Sequence, residues 1–394
     1  MTAEQLLTAD LPSATAPRTE QSRATELIRA SFAPLERRAD ELAKLFYARL
    51  FAAAPATRAM FPVHMQVQRS RVLRALVHVV QLVEQPGELV PFLEQLGRDH
   101  RKFGVLDEHY DAVGAALVGA LAELSGPAWT DEIQRAWTGA FATIADAMRG
   151  AAAAEHGPTS WTGTVTGHRR IGWDIAVVTV APEQPVPYRA GQYVSVETPQ
   201  RPRLWRYLSP ANAPRPDGQL EFHVRAVRGG WVSQAVVAHT RVGDSWRIGP
   251  PMGRMQVPAN TERELLMIAG GTGWAPMRAL IDELARRPRR PATQVFVGGR
   301  TWDDLYDIDG LRELSYQHPW LDVVPVVERD GEPPQGAQGA ERGTLADVVT
   351  RYGAWADHDV LVCGSPSMIR STVSRMLVAG TPLDRIRYDP FTVD

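Results

Sequence analysis

The feature that most limits the possible folds is a change of hydrophobic periodicity partway along the chain. From about residue 22 to residue 155, apolar side chains recur every three or four residues, as at Leu42, Leu45 and Leu50. Proline and glycine fall between these segments, where helices are expected to break. The pattern predicts about six helices, and therefore an all-α domain over 22–155.

A second pattern begins after a run of small residues that ends near Gly157-Pro158 and is typical of a linker. It consists of short β-rich runs at 175–180, 192–197 and 220–227, separated by clusters of proline and glycine. Such runs predict a small antiparallel β-barrel, which we assign to 157–258.

The third pattern, over 259–394, alternates apolar strands with helical segments and predicts a doubly wound parallel α/β sheet. The strands are expected at 265–269, 294–297, 322–327 and 359–362. The chain is thus expected to be multidomain, and its 394 residues are enough for about two to three domains.

Composition excludes several classes of protein. The formal net charge is −2, without the clustered positive charge that nucleic-acid binding requires. The single cysteine, Cys363, excludes an intramolecular disulfide and a cysteine-ligated cluster, which fits a cytoplasmic location. No stretch approaches the roughly 20 apolar residues that a membrane span needs. Residues 1–21 lack a signal-peptide pattern and are expected to form a flexible tail.

A glycine-rich turn follows the first strand of the α/β region. Gly270, Gly271, Thr272 and Gly273 connect this strand to a helix. The glycines allow the backbone to approach a diphosphate, and the N-terminus of the following helix adds N–H donors. Alternatively, such a turn is only a tight connection between a strand and a helix.

Two further strand ends lie at the edge where parallel sheets bind ligands. Cys363 and Gly364 end the last apolar strand, although a lone cysteine is also a small buried hydrophobe. Gly298, Gly299 and Arg300 end the second strand, where the ribose of a dinucleotide is read. Arg300 is suited to a 2′-phosphate. No cluster of acidic or basic residues near this strand end decides between NADH and NADPH. NADH is favoured only by analogy with the family that these motifs resemble, which is named below.

Two segments of the barrel region complete a set of motifs. Residues 205–209 read Trp-Arg-Tyr-Leu-Ser, and residues 229–233 read Gly-Gly-Trp-Val-Ser. Together with the glycine turn and the Cys363-Gly364 pair, they resemble the ferredoxin–NADP reductase superfamily over 157–394. The resemblance implies a module that binds FAD together with NADH or NADPH.

In that superfamily an Arg-x-Tyr-Ser motif on the barrel holds the flavin. The resemblance implies that Arg206 meets a flavin phosphate, because its planar fork donates two hydrogen bonds at once. It implies that Ser209 bonds the edge of the isoalloxazine ring. It also implies that Ser233, with the backbone from Gly230 to Val232, binds the FAD diphosphate.

The chain departs from this motif at Leu208, where the superfamily has a tyrosine that stacks on the flavin. Leucine offers only apolar contact, and the neighbouring Tyr207 is expected on the opposite face of the strand. We therefore expect weaker retention of FAD or an altered flavin potential. The superfamily also places an aromatic residue over the flavin near the C-terminus. Phe391 fits this role, unless its ring only packs the tail.

His100 is the candidate iron ligand of the helical domain. It lies near the end of an amphipathic helix and shares one helix face with Leu93 and Leu96. Histidine is a common haem ligand, although any one histidine is more often a surface residue.

Motifs around this histidine support the assignment. Residues 45–51 read Leu-Phe-Tyr-Ala-Arg-Leu-Phe, and residues 59–62 read Ala-Met-Phe-Pro. With His100 and Tyr110, these segments are similar in order and spacing to the globin domain of flavohaemoglobins over 22–150. The resemblance implies a domain that binds haem b, with His100 as the proximal iron ligand.

The same resemblance implies which residues line the haem pocket. Phe61 would pack on the haem face, and Tyr47 and Gln68 would be polar groups on the distal side. The Tyr47 hydroxyl and the Gln68 amide would donate hydrogen bonds that favour negative charge on dioxygen. Val72 lies one turn beyond Gln68 on the same helix face. Core packing alone also explains Tyr47 and Phe61, and His64 is an alternative distal residue.

In flavohaemoglobins the proximal histidine is held by a tyrosine ten residues further on and by a glutamate late in the last helix. Tyr110 matches the tyrosine. The last helix of this chain ends at 149–154 without that glutamate, and Glu155 is out of register. Asp99 replaces the lysine that precedes the ligand in the family. We therefore expect incomplete hydrogen-bonded support of the iron ligand.

These features predict an oxidoreductase that passes hydride from NAD(P)H to FAD and then single electrons to haem iron. The resemblance implies oxidation of nitric oxide to nitrate with O2, with Tyr47, Gln68 and Tyr110 as the catalytic side chains. Three alternatives are a haem reduced for oxygen sensing or superoxide production, an oxygen-binding globin kept ferrous by its reductase, and a flavin reductase with a haem-free helical domain. The expected partners are O2, NO and NAD(P)H, without nucleic acid or membrane. A monomer and a homodimer both stay open.

Overall fold

The computed structural model describes residues 16–329 and 340–389. The chain divides into two compact units, Met1–Gly157 and Pro158–Asp394. The division falls between the two residues that mark the end of the expected linker. Each unit has hydrophobic cores of its own.

The first unit is helical in the part of the chain that the structure describes. Its α-helices are α1 (Ala16–Glu36), α2 (Ala39–Ala53), α3 (Gln66–Leu82), α4 (Pro86–His100), α5 (Asp107–Ser125) and α6 (Asp131–Ala154). Helix α4 begins at Pro86, whose missing N–H costs nothing in a first turn. Helix α1 begins at Ala16, within the stretch 1–21 for which a flexible tail was expected. Residues 1–15 lie outside the described residues.

The close contact between α4 and α6 depends on a glycine. A Cβ atom at Gly97 would lie 2.3 Å from the carbonyl oxygen of Met148, so no larger residue fits without moving the backbone. Leu93, Tyr110 and Ala145 pack around this contact in a small core of their own. The packing holds the end of α4, where His100 lies, in a fixed position against the last helix. Among the described residues, no helix is long and apolar enough to cross a bilayer.

The second unit begins with an antiparallel sheet. Its strands are β1 (Trp161–Ile171), β2 (Ile175–Pro182), β3 (Val194–Glu197), β4 (Arg206–Leu208), β5 (Leu220–Arg225) and β6 (Ser245–Ile248). They run in the order β4-β3-β6-β1-β2-β5, and a bridge between Pro210 and Phe222 joins the two edges. The sheet therefore closes into the expected barrel, with a core of valine, tryptophan and phenylalanine. Helix α7 (Trp231–His239) follows β5.

The rest of the second unit is a parallel sheet with helices on both faces. Its elements are β7 (Leu265–Gly270), α8 (Trp274–Ala285), β8 (Thr293–Gly299), α9 (Ile308–Gln317), β9 (Leu321–Val327), β10 (Glu341–Arg342), α10 (Leu345–Tyr352), β11 (Asp359–Cys363), α11 (Pro366–Val378) and β12 (Ile386–Arg387). The strand order is β10-β9-β8-β7-β11-β12. The order reverses between β7 and β11, and ligands bind at such a point beyond the carboxyl ends of the strands. The expected doubly wound fold is confirmed.

Candidate functional site

The glycine turn after β7 lies against the end of β11. A turn of 3-10 helix over Gly271–Gly273 joins β7 to α8, and Gly271 has a positive φ of 54°. A Cβ atom at Gly273 would lie 2.4 Å from the carbonyl oxygen of Cys363. The turn can therefore form only with glycine at this position, which leaves the first N–H groups of α8 open to an anion.

This turn borders a cavity of about 770 Å³ between the barrel and the parallel sheet. Eleven of the residues singled out as candidates from the sequence line it: Leu208, Ser209, Gly270, Gly271, Thr272, Gly273, Gly298, Gly299, Arg300, Cys363 and Gly364. Arg300 lies at the end of β8, and Arg225 and Arg228 from the barrel also line the cavity. A cavity with backbone donors, arginines and glycines at a sheet edge suits a dinucleotide with its diphosphate.

Leu208 and Tyr207 both reach this cavity. Leu208 pairs with Val194 across the ladder and packs against the barrel core. Tyr207 is 41% exposed, and its ring meets the edge of Tyr193 with centroids 5.1 Å apart. The two side chains thus have different surroundings, as expected for opposite faces of a strand, although both residues border the cavity.

The loop at 229–233 forms a tight bend into α7. The Ser233 hydroxyl accepts from the Val227 N–H and donates to the Gly230 carbonyl, both at 3.2 Å. A Cβ atom at Gly230 would lie 2.5 Å from the Ser233 oxygen. Val232 is buried beneath the bend. This cradle, with the first N–H groups of α7, has the chemistry that a diphosphate needs, and it adjoins the cavity through Val227, whereas Gly230, Val232 and Ser233 do not line it.

Arg206 also lies outside that lining. Its Nη1 donates to the carbonyl oxygen of Trp205 at 2.9 Å, and its side chain is half-buried on β4. Phe391, the expected aromatic cover of the flavin, lies outside the described residues.

Asp389 is a buried carboxyl group that sequence reasoning missed. Its Oδ1 accepts the N–H of Arg254 at 3.1 Å, and a Cβ atom at Gly253 would lie 2.7 Å from its Oδ2. Burial raises the pKa of Asp389 to about 6, because the charged form is poorly solvated there. Burial and the nearby Asp389 raise the pKa of Cys363 to about 12, so that thiol is neutral and unreactive. No local sequence pattern marks Asp389, because its burial depends on Gly253 and Arg254, far earlier in the chain.

His100 ends α4 with one ring nitrogen already engaged. Its Nδ1 lies 2.7 Å from the carbonyl oxygen of Leu96, one turn earlier. Burial lowers the pKa of His100, which favours the neutral ring. A neutral ring whose Nδ1–H donates to a carbonyl presents the lone pair of Nε2, the form in which histidine binds metals. The donor chemistry therefore fits haem iron.

The structure brings the expected distal residues together. Tyr47 on α2 lies close enough to Gln68 on α3 for the Gln68 side chain to influence the phenol. Phe61 meets Tyr47 edge-on, with ring centroids 5.4 Å apart, and Val72 packs against the same cluster. His64 is exposed. Burial raises the pKa of Tyr47 above its ordinary value, so the phenol keeps its proton.

The expected support of the iron ligand is distributed differently. Tyr110 is buried, and the Arg149 guanidinium lies over its ring, 5.1 Å from the centroid. Glu155 lies 4.0 Å from Arg98. The Asp99 carboxylate pairs with the buried Lys102 ammonium at 2.6 Å. Glu155, just after the end of α6, thus lies beside Arg98 of α4. Asp99, which precedes His100, pairs with Lys102, which follows it.

Family models match three successive parts of the chain. The Globin model matches residues 44–148, and the oxidoreductase FAD-binding domain matches residues 162–257. The oxidoreductase NAD-binding domain matches residues 267–374. These three regions coincide with the helical unit, the barrel and the parallel sheet.

Individual relatives extend this likeness. A flavohemoprotein of Bordetella bronchiseptica is 30% identical over 283 residues, covering 66% of this chain and 70% of the relative. The fold is similar to a flavohemoglobin from Malassezia yamatoensis with bound FAD and heme (TM-score 0.73, 18% identity, 93% of this chain and 98% of that one). It is also similar to the FAD/NAD-binding domain of a nitric oxide dioxygenase from Vibrio cholerae (TM-score 0.52, 19% identity, 59% and 99%). This chain therefore belongs to the flavohaemoprotein family of oxidoreductases, whose globin, FAD-binding and NAD-binding domains it carries in that order.

Proposed function

We propose that the protein is an NAD(P)H-dependent nitric oxide dioxygenase, which oxidises nitric oxide to nitrate with O2. The observation that carries this proposal is the position of the buried Tyr47 hydroxyl beside the Gln68 side chain, close enough for Gln68 to influence the phenol. Tyr47 lies in a cluster of aromatic and aliphatic side chains that includes Phe61, and Gln68 is half-buried beside it. Polar donors in such surroundings act strongly on a developing charge because the local dielectric is low.

Haem would bind dioxygen and take up one electron at a time, and FAD would convert the hydride of NAD(P)H into single electrons. The residues of the helical unit would hold the first of these groups. His100 would donate its Nε2 lone pair to the iron, since its Nδ1 already bonds the Leu96 carbonyl. Phe61 and Val72 would supply apolar contact to the macrocycle.

Tyr47 and Gln68 would act on dioxygen through hydrogen bonds. Because burial raises the pKa of Tyr47, its hydroxyl stays protonated and remains a donor. The Gln68 amide has both a carbonyl acceptor and N–H donors, so it can hold the phenol in place while offering donors of its own. The pair would favour negative charge on dioxygen at the point where nitric oxide meets it.

Residues of the second unit would hold the two dinucleotides. The turn at 270–273 and the N-terminus of α8 would take the NAD(P)H diphosphate, with Cys363 and Gly364 bordering the nicotinamide. The neutral Cys363 thiol would only pack there. We propose 157–258 as the FAD-binding part and 259–394 as the NAD(P)H-binding part.

The FAD itself would be held mainly by the barrel. Ser209 and Leu208, both in the cavity lining, would contact the isoalloxazine ring. Arg206, Gly230 and Ser233 would take the FAD diphosphate. The fixed bend between Gly230 and Ser233 supports this role for the loop.

A second function is favoured by the contacts of the proximal side. The Arg149 cation over Tyr110, and the pairing of Glu155 with Arg98, leave the ligand without the carboxylate that strengthens it in the family. This arrangement favours an NAD(P)H-dependent globin that binds or senses oxygen and reduces its own iron. In that case NADH oxidation would not respond to nitric oxide.

We further propose that the protein works in the cytoplasm as a monomer or homodimer. Its single cysteine supports a reducing compartment, since it can form no disulfide within the chain. Light scattering of the purified protein would decide between the two oligomeric states.

The proposal is tested with purified full-length protein loaded with haem and FAD. With NADH and O2, we expect catalytic loss of nitric oxide at an electrode, with one dinucleotide consumed for every two molecules of nitric oxide. Tyr47→Phe should lower the turnover at least tenfold, because removing one donor of this kind costs roughly two orders of magnitude. His100→Ala should abolish the Soret band and the turnover together. Nitric oxide loss no faster than with free haem would refute the proposal, and NADH oxidation indifferent to nitric oxide would favour the oxygen-binding alternative.

A further inference from the structure

One face of strand β5 makes polar contacts with the NAD-binding part of the second unit. Alternate residues of a strand point to the same side, and Glu221, His223 and Arg225 occupy three such positions. Their partners lie on α8 and on the loop at 300–307, which follows β8. We refer to these three side chains and their three partners as the β5 seam: Glu221, His223 and Arg225 with Arg278, Tyr306 and Asp304.

Arg225 is the part of the seam beside the glycine turn. Its Nη1 lies 2.6 Å from Oδ1 of Asp304, and its Nε lies 3.3 Å from Oδ2 of Asp174. A Cβ atom at Gly271 would lie 3.7 Å from the same Nη1. The guanidinium is thus held next to the turn by one carboxylate from the barrel and one from the parallel-sheet region.

Asp304 connects this ion pair to the loop that ends β8. Its Oδ2 accepts the backbone N–H of Arg300 at 2.9 Å and that of Thr301 at 3.2 Å. The carboxylate therefore spans from a barrel cation to the backbone of Arg300, a residue that lines the cavity. Any shift of Asp304 moves this part of the cavity wall.

His223 forms the second link to the loop. Its Nδ1 lies 2.7 Å from the Tyr306 hydroxyl, and its Nε2 lies 3.1 Å from the Glu221 carboxylate. Glu221 also pairs with Arg278 of α8. The pKa of Glu221 falls to about 2, because His223 bonds its carboxylate and the Arg278 cation lies beside it. With both ring nitrogens engaged, the orientation of His223 is fixed.

We propose that the β5 seam positions the loop at 300–307 against the barrel, and thereby sets where the nicotinamide dinucleotide lies relative to the flavin. In this account Arg225, Asp304 and Tyr306 act by holding the loop in place, and Arg225 and Asp304 also line the cavity themselves. The seam joins the flavin-bearing barrel to a wall of the cavity, and a hydride donor must be held within contact distance of its acceptor. The inference rests on flavin reduction by NAD(P)H and is independent of the nitric oxide chemistry.

The most direct test is Asp304→Asn in the full-length protein loaded with FAD and haem. The asparagine oxygen still accepts the two backbone N–H groups, but the charge that holds Arg225 is gone. Flavin reduction by NADH is followed anaerobically by stopped flow, in the absence of nitric oxide and O2. We expect the dissociation constant of NADH to rise about tenfold and the reduction rate constant to fall, because a hydrogen bond between charged groups is lost.

A second variant guards against general loss of structure. Tyr306→Phe keeps the ring and removes only the hydroxyl that His223 bonds, so we expect a smaller effect in the same direction. Asp309→Asn is the matched control, since Asp309 lies close by on α9 and its side chain is 95% exposed. This variant should reduce its flavin at the rate of the parent protein.

Photoreduction of the flavin separates positioning from structural damage, because it bypasses NADH. In the seam variants, the electron transfer from photoreduced flavin to haem and the FAD content should match those of the parent. Unchanged NADH binding and flavin reduction in both seam variants would overturn the inference. So would an equal loss in the photoreduced reaction, which would mean that the seam only maintains the fold. Because the assay contains no nitric oxide, a protein that fails as a dioxygenase still tests the seam.

Discussion

Replacement of Asp389 by asparagine should stabilise the flavin-binding part of the protein more at alkaline pH than at acidic pH. The Asp389 carboxyl is buried, with its pKa raised from 3.8 to about 6. Because the folded state holds this proton more tightly than the unfolded chain does, the contribution of Asp389 to stability is fully present below about pH 4. It is lost as the pH rises through about 6, where the buried group must ionise.

The size of the effect follows from the two pKa values. The difference between 3.8 and about 6 corresponds to about 3 kcal/mol of unfolding free energy above pH 7. At pH 5 the unfolded carboxyl has already ionised while the folded one is still mostly protonated, so about half of this penalty is present. Asparagine is neutral at every pH and is nearly the same size as aspartate. Asp389→Asn should therefore gain about 3 kcal/mol at pH 8 and about half as much at pH 5.

The assay is the thermal release of FAD from the full-length protein, followed by flavin fluorescence at pH 5 and pH 8. For a unit of this size, each kcal/mol moves the midpoint by roughly 2–4 °C. Asp384→Asn is the matched control, since this neighbouring carboxylate is 75% exposed and should shift the midpoint little at either pH. An equal shift of Asp389→Asn at the two pH values would refute the reasoning, and so would destabilisation at pH 8.

Two further predictions rest on close contacts. Gly273→Ala should raise the KM for NADH at least tenfold and leave the haem spectrum unchanged, because the added Cβ would lie 2.4 Å from the carbonyl oxygen of Cys363. The KM is measured by steady-state reduction of ferricyanide, and a KM equal to that of the parent protein would contradict the prediction. Lys102→Met should destabilise the helical unit by about 3–5 kcal/mol, because it removes one partner of a buried ion pair with Asp99. Adding Asp99→Leu should restore most of that loss in urea unfolding followed by haem absorbance, and a double variant as unstable as the single one would count against the argument.

The sequence was sufficient to predict the fold where a local pattern carries the information. The strands at 265–269 and 359–362 are largely apolar runs that are followed by glycine within two residues, and the structure has β7 and β11 there. Strand β1, at Trp161–Ile171, was missed because threonine, glycine and arginine alternate with few apolar residues. Its buried face is defined only by its pairing with β2 and β6, and such pairing joins residues far apart in the sequence.

The same distinction applies to the candidate site. The glycine turn could be predicted because its chemistry depends on the local backbone, which glycine alone permits. Asp389 could not, because its raised pKa depends on burial against Gly253 and Arg254, more than a hundred residues earlier. The Arg225–Asp304 pair is likewise a contact between distant parts of the chain. A carboxylate or guanidinium in a sequence does not disclose its partner.

Under the proposed function, the contacts of Tyr110 affect how dioxygen would be activated. Where the family has a carboxylate near the proximal tyrosine, this chain has the Arg149 cation over the ring of Tyr110. A carboxylate that accepts a hydrogen bond from the tyrosine hydroxyl makes the phenol oxygen a better acceptor, and so raises the basicity of the histidine that bonds it. A nearby cation has the opposite effect on the phenol. Arg149 is itself paired with Asp111 at 2.6 Å, and this pairing weakens the effect of its positive charge on the ring of Tyr110. The distal donors, Tyr47 and Gln68, would therefore contribute more of the activation of dioxygen here than in a protein with a complete proximal network.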